Sequence, residues 1–389
     1  MMFDKKSVIG VAGSGAMGGG IALVAATAGH NVIVYDNNLA ALKKAEANLA
    51  SSLGKLLEKQ KITSAQRDQI IASHKFTDRL SELSACALVL EAIVENLEIK
   101  KSLFGELEKT CSDTCVLATN TSSLSVTSIA AACSNPSRVI GIHFFNPATL
   151  MPLVEIIPGI ATQKNITGHC NELIQSWGKT TVVAKDTPGF IVNRVARPFY
   201  SEALRIYEEG IADMATIDKA MKDAGFRMGP FELMDLIGHD VNYVVTETVW
   251  KQFYFDPRFK PALSQKRLLE AGFLGRKSGR GFYNYATGEP LPLASPDAEL
   301  SSKIVLRILC MLINEAADTL YLNIASREDI DLAMTKGVNY PKGLLKWADE
   351  IGIEKIVELL SELRDFYEED RYRISTMIKN LIKEKRGFY

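Results

Sequence analysis

The sequence lacks several features on which particular functions depend. Its 45 Lys and Arg residues against 46 Asp and Glu leave a formal net charge of -1, without the basic stripe that nucleic-acid binding requires. Six cysteines are too few for a disulfide framework, and the lone CxxxC of Cys111 and Cys115 has no second cysteine pair or histidine nearby. Neither a GxSxG nor an HExxH motif is present. We therefore expect no nucleic-acid partner, no metal and free thiols.

The one long uncharged run does not predict a membrane span. Residues 8–29, VIGVAGSGAMGGGIALVAATAG, are long enough to cross a bilayer, but they contain seven glycines, three of them consecutive. No small-residue cleavage signature is present, and only Lys5 and Lys6 supply positive charge before the run. A buried strand, a glycine turn and a buried helix explain it better. We expect two or three domains, a cytoplasmic location and no membrane partner.

The same run begins a dinucleotide-binding pattern. An apolar strand, KSVIGVAG, leads into G-x-G-x-x-G at Gly13, Gly15 and Gly18, then a helical segment and a second strand that ends at Asp36. The glycines permit a tight turn, close approach of a pyrophosphate and close helix–strand packing, and the helix N-terminus offers N–H groups to the phosphates. Asp36 can accept hydrogen bonds from a ribose diol and would repel a 2′-phosphate. The pattern predicts a Rossmann-type domain that binds NAD rather than NADP.

A helical insertion follows Asp36. Apolar residues recur at helical spacing in two pieces, which predicts a helical hairpin at about 38–75. Ser52, Lys55 and Lys59 share one face of its first helix. On spacing alone this face is either a solvated surface or a clasp for a phosphate-bearing ligand.

Polar side chains follow the remaining strands of the predicted sheet. Further strands are indicated within 87–96, 115–126 and 139–159. Ligands of open α/β sheets bind at the carboxyl ends of the strands. We therefore expect four residues on the rim where a nicotinamide would lie: Glu95, Ser122, His143 and Asn146.

His143 and Glu155 form the predicted chemical centre. His143 follows VIGI at a strand end, and histidine exchanges protons near neutral pH. Glu155 lies further along the chain in PLVEII, where a buried carboxylate is costly unless it is paired. The pattern fits either a His–Glu dyad or a core histidine with an unrelated glutamate at a strand edge. The adjacent dinucleotide pattern favours the dyad.

These stretches together resemble the L-3-hydroxyacyl-CoA dehydrogenases of fatty-acid β-oxidation. The matching segments run in the family's order from about residue 7 to residue 285: GSGAMGGGIA, EAIVENLEIKKSLF, NTSSLSVTSIA, HFFNPATLMPLVEII, KDTPGFIVNRV, MGPFELMDLIG and GRKSGRGFYNY. The resemblance implies an acyl-CoA substrate. It also implies hydride transfer between NAD and C3 of a 3-hydroxyacyl-CoA or 3-ketoacyl-CoA.

The resemblance further implies roles for individual residues. His143 is similar to the family's base, which takes the 3-hydroxyl proton, and Glu155 to its dyad partner. Ser122 and Asn193 are similar to the polar groups that contact the substrate oxygen and the cofactor. Ser52 and Lys59 fall where the family's helical clasp meets coenzyme A. Besides the glycines, the implied cofactor contacts are Asp36, Glu95, Lys100, Ser122 and Asn146.

The C-terminal part of the sequence repeats itself. RGFY occurs at 280–283 and again at 386–389, the end of the chain. In one constant register FIVNR (190–194) faces KIVLR (303–307), SEALRIY (201–207) faces NEAADTL (314–320) and IDKAM (217–221) faces IDLAM (330–334). Such a fixed register is the signature of an internal repeat. Asn193 faces Leu306, so we expect one active site per chain.

These patterns predict four segments. They are an NAD-binding Rossmann-like domain at 1–187, an all-α domain at 188–285, a proline-rich linker at 286–299 and a second all-α domain at 300–389. In single-copy members of the resembled family the C-terminal helical domain is the dimerisation surface. The resemblance therefore implies a monomer with an internal pseudo-dimer, and it leaves further oligomerisation open. The alternative is a second catalytic or acyl site.

The acyl group stays open at the level of sequence. Short-chain 3-hydroxybutyryl-CoA and dicarboxylic 3-hydroxyadipyl-CoA both fit, as does, less well, a non-catalytic nucleotide-binding homologue. Three arginines are candidates to meet a distal carboxylate: Arg194, Arg197 and Arg227.

Overall fold

The computed structural model describes residues 3–286, 290 and 292–389. The chain divides into two compact units, the first ending at Thr187 and the second beginning at Pro188. Four residues of the expected linker at 286–299, namely 287–289 and 291, lie outside the described residues.

The first unit is built on one eight-stranded sheet. Its strands are β1 Ile9–Ala12, β2 Val32–Tyr35, β3 His74–Thr77, β4 Leu88–Glu91, β5 Val116–Thr119, β6 Val139–Phe144, β7 Leu153–Pro158 and β8 Thr180–Val183. Their order is β3-β2-β1-β4-β5-β6-β7-β8, and every described pair is parallel except β6–β7. β1, β4 and β5 are buried along their whole length, which explains their continuous apolar sequences.

Six helices accompany this sheet: α1 Ala16–Thr27, α2 Leu39–Glu58, α3 Ser64–Ala72, α4 Leu97–Thr110, α5 Val126–Ala130 and α6 Lys164–Ser176. The helices α2 and α3 form the hairpin. Asn38 caps α2 by accepting two backbone N–H groups, and a capping box of Thr63 and Gln66 begins α3. The chain then forms β3 beside β2 at the sheet edge. The predicted Rossmann-type class is confirmed.

The second unit is built from α-helices, as the sequence predicted. They are α7 Val192–Val195, α8 Arg197–Glu208, α9 Met214–Asp223, α10 Pro230–Ile237, α11 His239–Gln252, α12 Leu263–Glu270, α13 Ala298–Tyr321, α14 Arg327–Gly337, α15 Leu344–Ile351, α16 Ile353–Tyr367 and α17 Thr376–Glu384. The helix α13 packs against α8 and α9, and residues 307–317 within it are all buried. The two helical segments therefore pack together in one compact unit rather than as separate bodies.

The first RGFY sequence anchors the end of the first helical segment, residues 188–285, to helices α9 and α10. Asp235 of α10 accepts hydrogen bonds from the backbone N–H groups of Phe282 and Tyr283, both at 2.9 Å. The Tyr283 hydroxyl donates to Asp218 of α9 at 2.7 Å. A Cβ atom on Gly281 would lie 2.0 Å from Asp235 Oδ1, so glycine is required there.

The terminal RGFY repeats this arrangement in the second segment. Asp349 of α15 accepts N–H hydrogen bonds from Phe388 at 2.7 Å and from Tyr389 at 2.9 Å. The Tyr389 hydroxyl donates to Asp331 of α14 at 3.0 Å, and a Cβ atom on Gly387 would meet Asp349 Oδ1 at 2.5 Å. The repeated motif therefore holds each segment closed by the same contacts.

The described residues hold no helix that is both long and apolar enough to cross a membrane. Within the same part of the chain, no group of three or more His, Cys, Asp or Glu side chains is arranged to hold a metal ion. All six cysteines are buried and none forms a disulfide.

Candidate active site

The glycine turn after β1 has the geometry that a pyrophosphate requires. Gly13 has a φ of +108°, and a Cβ atom there would lie 2.6 Å from the carbonyl oxygen of Ala92. A Cβ atom on Gly18 would lie 1.8 Å from the Gly13 oxygen. The space around the Cβ position of Gly15 is open, and α1 begins directly after it without a side-chain cap. The first N–H groups of α1 are therefore available to an anion, which fits a dinucleotide.

Asp36 is held at the carboxyl end of β2. The backbone N–H and the hydroxyl of Ser14 both donate to Asp36 Oδ2 at 2.8 Å, and the N–H of Asn38 donates to Oδ1 at 3.0 Å. The sequence identified Asp36 but missed Ser14, which lies between the first two glycines of the motif. These bonds fix a carboxylate beside the glycine turn, in the position that suits a ribose diol.

Glu95 and Ser122 lie together beyond β4 and β5. Glu95 Oε1 accepts from the Thr121 hydroxyl at 2.6 Å and from the Ser122 N–H at 3.0 Å. The Lys100 ammonium lies 3.2 Å from Oε2. Burial alone would raise the pKa of Glu95, but the Lys100 charge and these hydrogen bonds hold it below its ordinary value. The side chain is therefore a fixed anion at the rim.

Lys100 itself is buried beneath this rim. Its Nζ atom lies 2.5 Å from Glu91 Oε1, and both side chains are almost fully buried. Glu91 also accepts from the Thr119 hydroxyl and from the Ile93 N–H, both at 2.7 Å. The ammonium of Lys100 thus faces the carboxylates of Glu91 and Glu95, and it positions Glu95. A direct contact between Lys100 and the cofactor stays a prediction.

His143 and Glu155 are brought together by the antiparallel pairing of β6 and β7. The two residues are direct cross-strand partners, and Nδ1 of His143 lies 2.7 Å from Oε2 of Glu155. Both are buried. The Phe145 ring packs against the imidazole with 4.5 Å between centroids, and Asn120 accepts the Phe144 N–H at 2.8 Å. The sequence did not identify Phe145 or Asn120, whose contacts depend on how the strands associate.

The other expected ligand contacts are dispersed. Asn146 is exposed in the connection after β6, and Asn193 is half-buried on α7 in the second unit. Ser52 lines a cavity of about 890 Å³ between α1, the hairpin and β3, together with Lys55 and Lys61. Lys59 is the C-cap residue that follows α2, and it is not among the lining residues.

These features define a class of protein. A Rossmann-type sheet, a glycine turn opening a helix, a carboxylate ending β2 and a buried His–Glu pair are the parts of an NAD-dependent oxidoreductase. The NAD binding domain of the 3-hydroxyacyl-CoA dehydrogenases matches residues 8–187, and the C-terminal domain matches both 189–285 and 304–387. The chain belongs to the 3-hydroxyacyl-CoA dehydrogenase family.

Individual relatives agree with this assignment. A 3-hydroxyadipyl-CoA dehydrogenase of Escherichia coli K12 is 36% identical over 474 aligned positions, which cover 100% of both chains. A 3-hydroxybutyryl-CoA dehydrogenase of Bradyrhizobium diazoefficiens is 39% identical and covers 73% of this chain and 97% of its own. The crystal structure of a 3-hydroxybutyryl-CoA dehydrogenase from Escherichia coli K12 has a TM-score of 0.92 at 35% identity, covering 98% of this chain and 99% of its own.

Proposed function

We propose that this chain interconverts (S)-3-hydroxyacyl-CoA and 3-ketoacyl-CoA with His143 as the general base and acid. The observation that carries the proposal is the 2.7 Å contact between His143 Nδ1 and Glu155 Oε2. A carboxylate that accepts from Nδ1–H leaves Nε2 as the basic atom of the ring, which takes the proton of the 3-hydroxyl. Glu155 holds the ring orientation and stabilises the imidazolium that forms.

The remaining polar groups complete the reaction. When bound, the cofactor would supply the hydride acceptor for oxidation at C3 in its NAD form and the hydride donor for the reverse reduction in its NADH form. Ser122 and Asn193 contact the substrate oxygen, and the hydrogen bond from the Ser122 N–H to Glu95 supports this by fixing the turn that carries Ser122. Asp36, Glu95, Asn146 and the glycine turn hold the cofactor, and Lys100 positions Glu95.

The coenzyme A moiety is assigned to the face of the hairpin that carries Ser52 and Lys59. The cavity beside this face supports the assignment, because Lys55 and Lys61 add positive charge to its lining. Lysine ammonium groups bind phosphates as point charges. A cytoplasmic location suits the buried free thiols and this soluble substrate.

Cofactor choice tests the proposed dinucleotide site. Wild-type protein should oxidise NADH with acetoacetyl-CoA and use NADPH poorly, because Asp36 binds a ribose diol and repels a 2′-phosphate. Asp36→Asn removes the charge at constant shape. We expect the NADH-to-NADPH ratio of kcat/KM to fall about 10- to 100-fold, since hydrogen bonds to charged groups contribute roughly 1.5–3 kcal/mol. Asp68→Asn, on exposed α3, should leave the ratio unchanged. A wild-type preference for NADPH contradicts the assignment.

We also propose that the tandem helical segments act as an internal pseudo-dimer in a monomeric protein. Contacts between the segments support this. Arg307 of α13 binds Glu202 and Glu209 of the first segment, with nitrogen–oxygen distances of 3.1 and 2.8 Å. Sedimentation of the full chain should give a monomer. A dimer joined through residues 190–285 of both chains contradicts the proposal.

A further inference from the structure

The buried arginines of the second unit differ in one respect. Arg194, Arg258, Arg307 and Arg371 each have a carboxylate oxygen within 4.0 Å. Arg197 is 5% exposed and has no carboxylate partner among the described residues. An unpaired buried charge is costly, so this guanidinium needs an anion that the described residues of the helical unit do not supply.

The surroundings of Arg197 satisfy it only in part. Its Nη1 donates to the Thr246 hydroxyl at 3.0 Å, and its Cζ atom lies 4.9 Å from the centroid of the Tyr200 ring. The Thr246 hydroxyl in turn donates to the Asn242 carbonyl oxygen, so it serves Arg197 as an acceptor. Arg197 Nε is buried and has no hydrogen-bond partner in the part of the chain that the structure describes. Burial lowers the pKa of Arg197.

A second unsatisfied donor lies in the same cluster. Tyr340, from the second helical segment, is buried, and its hydroxyl also has no hydrogen-bond partner among the described residues. Its ring packs on Phe199, with 5.7 Å between centroids, and Phe199 also contacts Tyr200 at 5.6 Å. Arg197 and Tyr340 therefore offer two buried donors from the two segments around one aromatic cluster.

Helix packing does not require either group. The register in which FIVNR faces KIVLR also faces Arg197 with Cys310, which is buried without a charge. When the last residues of α9 and α14 are aligned, Tyr340 corresponds to Phe226 in the first segment. The centroids of these two rings are 4.9 Å apart. At the position of Arg197 the other segment has the buried Cys310, and at the position of Tyr340 the other segment has the buried Phe226. A residue without charge or hydroxyl therefore packs well at both positions. The guanidinium and the hydroxyl are additions to the repeated fold.

We propose that Arg197 and Tyr340 bind the distal carboxylate of a dicarboxylic acyl chain, with Thr246 positioning the guanidinium. This inference rests on the proposed function, since Asn193 is assigned there to the substrate oxygen. Arg197 lies one helical turn after Asn193, joined to it through Ala196 in the αR conformation. Side chains at this spacing have Cβ atoms about 5–6 Å apart on one helix face. A six-carbon dicarboxylic chain, whose second carboxyl carbon is three bonds beyond C3, suits that separation.

The other two candidate arginines are less suitable. The charge of Arg194 is neutralised by Glu315, with Nε 2.5 Å from Oε1. Arg227 is exposed, where an ion pair with a ligand contributes little. Of the three arginines that the sequence singled out, Arg197 is the one that is both buried and without a carboxylate among the described residues.

Equilibrium binding of unreactive acyl-CoA thioesters tests the site without relying on catalysis. Adipyl-CoA and hexanoyl-CoA have the same chain length and differ in the terminal carboxylate. The wild type should bind adipyl-CoA more tightly. Arg197→Met should weaken adipyl-CoA binding relative to hexanoyl-CoA by about 10- to 100-fold, the range for a hydrogen bond to a charged group. Tyr340→Phe, a milder change, should weaken it severalfold. Arg227→Met removes the same charge from an exposed position and should leave the ratio unchanged.

The outcomes separate the two proposals. Equal binding of the two thioesters by the wild type, or an unchanged ratio in both Arg197→Met and Tyr340→Phe, overturns the carboxylate site and leaves the dehydrogenase function intact. If the wild type binds adipyl-CoA selectively and both variants lose this selectivity, the carboxylate site is supported. A wild type that shows this selectivity but oxidises no 3-hydroxyacyl-CoA would overturn the proposed function and leave the site in place. Thermal unfolding of each variant identifies any loss of fold, and Tyr340→Phe then carries the test.

Discussion

His143→Gln is expected to lower kcat for the reduction of acetoacetyl-CoA by about 10²–10⁴-fold, the contribution of a positioned general acid or base. Glutamine keeps a hydrogen-bonding side chain of similar size but cannot exchange a proton with the 3-oxygen. NADH binding, measured by fluorescence, should change little, because the glycine turn and Asp36 lie on other strands. The defect should therefore appear in kcat rather than in the affinity for the cofactor.

Two further variants make the His143 result specific. Glu155→Gln keeps the imidazole but replaces its carboxylate partner, so we expect a substantial loss that is smaller than that of His143→Gln. His169→Gln makes the same substitution on α6, away from the strand ends, and should retain wild-type kcat. A loss of less than tenfold in His143→Gln would contradict its assignment as the acid and base.

Glu91→Gln is expected to destabilise the protein by about 3 kcal/mol, the lower end of the range for breaking a buried ion pair. Glu91 and Lys100 are almost fully buried, with 2.5 Å between Oε1 and Nζ. Removing the Glu91 charge leaves a buried ammonium whose remaining carboxylate partner among the described residues is Glu95, at 3.2 Å. Urea-induced unfolding of the first unit measures the change.

A double variant distinguishes the ion pair from a general packing defect. Glu91→Gln combined with Lys100→Met removes both charges and should recover part of the lost stability. Lys219→Met breaks an exposed ion pair with Asp223 and should change stability by less than about 1 kcal/mol. If the double variant is less stable than Glu91→Gln alone, the unpaired Lys100 charge is not the cause.

The fold and the site could be predicted best from the sequence where the signals are local. The strand, glycine turn, helix and Asp36 follow one another directly along the chain, and each has its own residue requirement. By contrast β3, with the sequence HKFT, carries little strand signal of its own. It forms because it pairs with the edge of β2. The helical hairpin separates β2 from β3 in the sequence, so local sequence does not reveal this pairing.

Contacts between residues distant in sequence could be predicted only where a buried polar side chain required a partner. Glu155 in an apolar strand required one, and His143 was the available base. The contacts of Lys100 with Glu91 and of Ser14 with Asp36 were missed, because neither spacing nor composition indicates them. The Arg197 and Tyr340 donors come from different helical segments of the repeat, so only the packed helices bring them together.

Transfer of deuterium from [4-²H]NADH is the most direct test of the central claim. The protein would be incubated with acetoacetyl-CoA and, separately, with 3-ketoadipyl-CoA, and the products analysed by mass spectrometry. NADH would be labelled at C4 on one face or on the other, in separate samples. A single deuterium is expected at C3 of the 3-hydroxyacyl product with one of these two labelled forms. Unlabelled product with both labelled forms, or no product from either thioester, would contradict hydride transfer between NAD and the 3-position of an acyl-CoA.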